Sequence, residues 1–267
     1  MKPRTRAWWG FLTGSIIGTL GGMIGLGGAE FRLPVLVSLF RLPSLEAVIM
    51  NKAVSLVLVI AAIVFRTDAI PFDKLYPHIN VVLNLLAGSL IGAWWAAGHA
   101  MTMSRQKLNQ IIMILLIALA LLMLAHAFYG FNNDAVPLLQ AGPIRFIAGL
   151  GAGLGIGMVA AFLGVAGGEL LIPTIVLLYG LEIKLAGSLS LVVSLPTMIV
   201  AFARYRSANA FAVLTHERIL FRWMVAGSIL GAGIGGLLLG VLPARLLVSI
   251  LSFMLLISAL KIYHHTR

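Results

Sequence analysis

One register runs through this chain twice. Sliding the sequence along itself by 139 residues, the step from Pro34 to Pro173, pairs Gly10 with Gly149, Gly14 with Gly153 and Gly18 with Gly157. The same step pairs Gly25 with Gly164, Gly28 with Gly167 and Glu30 with Glu169. It continues ungapped to Ser55 with Ser194, and reaches Ala87-Gly88-Ser89 against Ala226-Gly227-Ser228 and Gly92 against Gly231. A single register held over more than 80 residues does not arise from composition alone. The expected organisation is therefore two copies of one ancestral unit: residues 1–130, a connection at 131–146, and residues 147–267. Internal repeats of this kind are characteristic of secondary transporters, whose sites lie between the repeats.

The medium follows from the charge content. Only 10% of the 267 residues are charged and 61% are hydrophobic, against about 25% charged in a typical soluble domain. So few charges cannot cover a soluble globule, which excludes a cytosolic enzyme, a disordered chain and a nucleic-acid-binding domain. The absence of cysteine excludes disulfides, thiolate metal sites and cysteine nucleophiles. No P-loop occurs, and the six histidines show no metal-ligand spacing within a span, so no cofactor is expected. Gly231-Ala-Gly-Ile-Gly-Gly236 matches a dinucleotide fingerprint only formally, because it lies inside an apolar run without a βαβ context. The net charge of +11 is read mainly as basic loops on the cytoplasmic side.

The reading is an all-α polytopic membrane protein. A span takes about 20 residues, and eight are expected, near 8–27, 45–65, 77–99, 106–129, 144–164, 184–203, 219–240 and 244–263, with both termini cytoplasmic. Two further apolar stretches, 33–40 and 172–180, are too short to cross alone and are expected to enter without crossing. If they cross as well, the two halves become inverted. Loop charge does not decide, since Arg66 and Lys74 favour one arrangement and Arg105 and Lys107 the other.

Glycines every four residues, at 10, 14, 18 and 22 and again at 149, 153 and 157, let helix backbones approach closely. The segments Gly25-Leu-Gly27-Gly28-Ala-Glu30-Phe-Arg32-Leu-Pro34 and Gly164-Val-Ala-Gly167-Gly168-Glu169-Leu-Leu-Ile-Pro173 read as backbone breaks, each followed by a short helix starting near its proline. Broken backbone at membrane depth is tolerated where it is buried in protein or lines a cavity, and helix N-termini there attract anions. Lys52 lies at or inside the second span, where a cation costs about 2.5–3.5 kcal/mol, and is read either as snorkelling to the interface or as aimed at an anion; Arg32 is similar but closer to the break. The expected anion site lies at the first break: Lys52 as the cation, with Asn51, Arg32 and the N–H groups beginning around Pro34, and Ser190 closing it from the second half. Arg32 is expected to pair structurally with Glu30. Glu30 and Glu169 are the candidate proton carriers, Glu169 foremost because its neighbourhood in sequence lacks an arginine.

The repeated Gly-rich–Pro motif, the two halves and the chain length resemble the TauE/SafE sulfite exporter family, also called the toluene-sulfonate uptake permeases. Where that family usually shows a Thr-Ser-Leu-like stretch after each short helix, this chain reads Met50-Asn51-Lys52 and Ser188-Leu189-Ser190-Leu191. The resemblance implies a bacterial inner-membrane carrier of sulfite or organosulfonates, driven by proton-motive force, in a subgroup with its own ligand. An intramembrane enzyme lacks a nucleophile–base constellation here. A passive anion channel or a membrane assembly factor is the alternative reading. The expected partners are a small anion and the bilayer, with no nucleic acid.

Overall fold

The computed structural model describes residues 3–24, 29–66, 75–129 and 137–237, and all regular structure among them is helical. Helix α1 is Pro3–Ile24, α2 is Ala29–Ser38, α3 is Ser44–Arg66, α4 is Ile79–Thr102 and α5 is Arg105–Tyr129. The second half continues with α6, Pro143–Leu163, α7, Gly168–Tyr179, α8, Ile183–Tyr205, and α9, Arg218–Leu237. Among the described residues, four helical stretches are long and apolar enough to cross a membrane: Ser44–Ala61, Tyr76–Thr102, Pro143–Leu163 and Leu185–Tyr205. The expected span at 244–263 and the break glycines Gly25, Gly27 and Gly28 lie outside the described residues.

Two helix pairs dominate the packing, α1 against α9 and α4 against α6, and glycine explains both. A Cβ added at Gly14 would strike the Met224 carbonyl and one at Gly18 the Ser228 carbonyl; in return, Gly227 and Gly231 sit against the carbonyls of Phe11 and Ser15. In the other pair, Gly153 and Gly157 face the carbonyls of Leu85 and Ser89, while Gly88 and Gly92 face those of Leu150 and Leu154. Contact partners advance together along both helices, so each pair runs parallel. Every residue of one interface stands 139 positions from its counterpart in the other.

The ends of the bundle follow from a few bonds. Arg6 donates to the Phe40 carbonyl at 3.3 Å and pairs with Glu217 at 3.0 Å, and Ser207 donates to Met101 Sδ at 3.7 Å. One end therefore gathers the start of α1, the α2–α3 turn, the α4–α5 turn and the start of α9. At the opposite end Asn84 Nδ2 donates to Tyr179 Oη at 2.8 Å, and the Leu138 N–H to the Leu177 carbonyl at 2.9 Å. Helix α7 thus turns back along α6 toward the end at which α6 began. Helix α2 likewise returns beside α1, which brings Phe40 to Arg6.

The short helices start five residues earlier than the sequence reading placed them. Pro34 and Pro173 are each the sixth residue of their helix, not near its first. In the second half Gly164 and Gly167, at φ 69° and 84°, make the reversal and let the helix resume at Gly168. Each proline then removes the hydrogen bond to the carbonyl four residues before it, that of Glu30 or Glu169.

Gly157 meets backbone and Gly155 meets open space, which separates packing from propensity. Gly157→Ala is expected to destabilise the protein by about 1–3 kcal/mol through overpacking. Gly155→Ala is expected to change stability by less than about 1 kcal/mol. Thermal unfolding in detergent measures both.

Candidate polar site at the helix break

A helix that ends inside a protein leaves carbonyls to satisfy. Helix α6 ends in this way at Leu163. Gly164 adopts the left-handed conformation, so its N–H donates to the Ala161 carbonyl at 3.2 Å and the Val165 N–H to the Ala160 carbonyl at 3.2 Å. These are the paired bonds of a Schellman cap. Carbonyl capacity remains after them, and side chains from other helices take it up.

Lys52 of α3 donates from Nζ to the Ala160 carbonyl at 2.7 Å and lies 3.4 Å from that of Val165. Asn51 donates from Nδ2 to the Leu163 and Ala29 carbonyls, both at 2.9 Å. Tyr205 of α8 donates its hydroxyl to the Ala161 carbonyl at 3.1 Å. Lys52, Asn51 and Tyr205 are fully buried. A cation at a helix C-terminus also meets the negative end of the helix dipole. Asn51 joins the two halves directly, because Ala29 opens α2 and Leu163 closes α6.

A second buried cation lies beside this cap. Arg32 donates through Nη1 to Asn51 Oδ1 at 3.2 Å and to Ser55 Oγ at 3.1 Å. Glu30, two residues earlier on α2, acts electrostatically on the Arg32 guanidinium. Both side chains are fully buried. Asn51 therefore uses its amide nitrogen on the helix break and its oxygen on the arginine, which locks its orientation from both sides.

The structure thus brings Glu30, Arg32, Asn51 and Lys52 together on α2 and α3. Ser190 of α8 is buried and its Oγ donates to the Gly187 carbonyl at 2.8 Å, within its own helix. Gly168 lies beside that serine at the start of α7. The Glu169 side chain lies outside the described part of the structure. Pro34 stands mid-helix, so the first-turn N–H groups of α2 belong to Ala29, Glu30 and Phe31. Sequence reasoning missed Ser55 and Tyr205. Ser55 stands one helical turn after Asn51, which is a usable signal. Tyr205 reaches a carbonyl 44 residues away, and nothing local marks it. On α8, Ser188 and Ser194 are buried with no hydrogen-bond partner among the described residues.

Long apolar helices around a buried polar centre define a multi-pass membrane protein. The chain belongs to the sulfite exporter TauE/SafE family, whose profile it matches over residues 11–262. No curated protein and no solved structure matches it.

If Lys52 caps α6, its loss is felt in stability. Lys52→Met keeps the length of the side chain and strips the buried Val165 carbonyl of its Lys52 donor. Thermal unfolding is expected to show a loss of about 1–3 kcal/mol, the cost of an unsatisfied buried polar group.

Proposed function

We propose that this chain is a secondary transporter of small oxyanions, sulfite or an organosulfonate, built from two halves of inverted topology in the bacterial inner membrane. The observation that carries the reading is the fully buried Glu30–Arg32 pair beside the helix breaks. An intramembrane ionisable pair is costly, and function is the common reason for keeping one.

The inverted arrangement draws support from the bundle ends. Helices α1–α2 and α6–α7 form hairpins that start from opposite ends of the bundle. Among the described residues, Arg4, Arg6, Arg41, Arg105, Lys107, Arg204, Arg206, Arg218 and Arg222 belong to one end. Arg66, Arg145 and Lys184 belong to the other. By the positive-inside rule the first end is cytoplasmic. Charge alone was ambiguous because the loops had not been sorted onto ends. The hairpins support sorting them onto two ends.

Arg32 is the proposed anion-binding cation. Its planar guanidinium suits two oxygens of a sulfonate or sulfite, and it stays charged when buried. Asn51 and Ser55 hold its plane, and Ser190 borders the site from the second half. Lys52 takes the structural role at the end of α6. Glu30 competes with substrate for Arg32, which supplies a coupling rule. With Glu30 ionised, the pair is neutral and the guanidinium is occupied. With Glu30 protonated, Arg32 can accept a monovalent anion and the site is neutral again. Anion and proton therefore load together without moving net charge. Glu169 is the second candidate proton carrier.

Uptake of radiolabelled sulfite and a sulfonate panel into proteoliposomes tests this reading. Arg32→Gln should fold and lose transport by at least about 100-fold, the scale of about 3 kcal/mol in binding a charged group. Glu30→Gln should retain anion exchange at equal pH but lose acceleration by a proton gradient. Glu169→Gln shows whether the second carboxyl shares that role. Full gradient response in both variants would refute proton coupling through these residues.

A further inference from the structure

The α1–α9 pair carries a second polar–apolar feature, far from the buried site. At the basic end of the bundle the two helices flank a groove of about 580 Å³ lined by Arg4, Ala7, Trp8, Phe11, Ile219 and Trp223. Its walls are almost entirely carbon, and Arg4 is the one charged residue in the lining. Phe11 meets the Trp223 ring edge-on, with centroids 5.9 Å apart, and so fixes one wall. Trp8 is 62% exposed and Trp223 48%, large aromatic surfaces that a soluble protein would bury.

We infer that this groove binds an anionic phospholipid of the leaflet at the basic end, its phosphate against Arg4 and one acyl chain along Phe11, Ile219 and Trp223. The groove faces outward from a membrane protein, so its apolar length meets lipid. Tryptophan favours the headgroup level, where its ring is in carbon and its N–H is wet. The neighbouring cation Arg6 is engaged by Glu217 at 3.0 Å, whereas no carboxylate pairs with Arg4 among the described residues. Arg218 and Arg222 are exposed on the adjoining strip of α9, one residue before Ile219 and Trp223, and keep the mouth of the groove positive. Basic pockets between spanning helices on the cytoplasmic side are the general form of an anionic-lipid site. The inference stands apart from the transport reading, since none of these residues belongs to the Glu30–Arg32 site.

The test uses the full chain with Trp9, Trp94 and Trp95 changed to Phe, which leaves Trp8 and Trp223 as reporters. It is reconstituted in bilayers of brominated phosphatidylglycerol mixed with plain phosphatidylcholine, and in the converse mixture. Quenching against composition gives the relative affinity of the two lipids at the groove. A preference of about five-fold for phosphatidylglycerol is expected, the effect of one basic side chain near the surface. Arg4→Gln should bring the ratio to about 1, and Arg105→Gln, at the same end but outside the groove, should leave it unchanged. Inorganic phosphate at millimolar concentration should not alter the quenching. A wild-type ratio near 1, a preference that survives Arg4→Gln, an equal loss with Arg105→Gln, or competition by free phosphate would each overturn the proposal.

Discussion

The structure depends on how a helix can stop inside a membrane protein. Hydrocarbon supplies no hydrogen bonds, so every carbonyl at the end of α6 needs a donor from the protein itself. The chain supplies them from three sources: its own next residues through the left-handed Gly164, Asn51 and Lys52 of α3, and Tyr205 of α8. This cap fixes where α6 ends, and hence where α7 begins. It also fixes α3, because Asn51 spans from the start of α2 to the end of α6. The buried lysine is thus consistent with a low-dielectric interior: its amine faces carbonyl dipoles and the negative end of a helix.

The two glycine-mediated helix pairs are alike in spacing, while the chemistry at the centre is not. Both glycine-mediated interfaces follow the same offset, so these two helix pairs are close to symmetric. At the centre the same offset pairs unlike residues. Arg32 is matched by Leu171, Asn51 by Ser190 and Lys52 by Leu191. Charge is concentrated in the first half, while the second contributes small hydroxyls on α8. A near-symmetric frame with an asymmetric centre is compatible with the proposed carrier, in which one set of polar side chains would serve the anion.

Much of this was legible before the structure, and the failures have physical causes. The glycine spacing at 10, 14 and 18 reported close helix approach because only a missing Cβ allows it. The break at Gly164–Gly167 was legible because glycine clusters are rare within helices. The helix starts were misplaced because proline was read as a first-turn residue. Here it stands at the sixth position, and the positive-φ glycines make the turn. The reading of Lys52 as a substrate cation rested on a buried cation whose partners were not visible in the sequence. Those partners are main-chain carbonyls more than 100 residues away, and sequence does not mark a carbonyl as needing a donor. The direction of α2 and α7 was equally hidden, since hydropathy measures the length of a segment and not its heading.

In the proposed arrangement the two hairpins enter from opposite faces of the membrane and meet at the capped break. Native cysteine is absent, so single cysteines report topology without background. Arg41 and Glu182 lie in the turns that follow α2 and α7, and both are exposed. With a membrane-impermeant maleimide, Arg41→Cys should be labelled only in inside-out vesicles and Glu182→Cys only in intact, right-side-out membranes. Labelling of both from the same face would contradict the inverted arrangement, and with it the account of how the site is assembled.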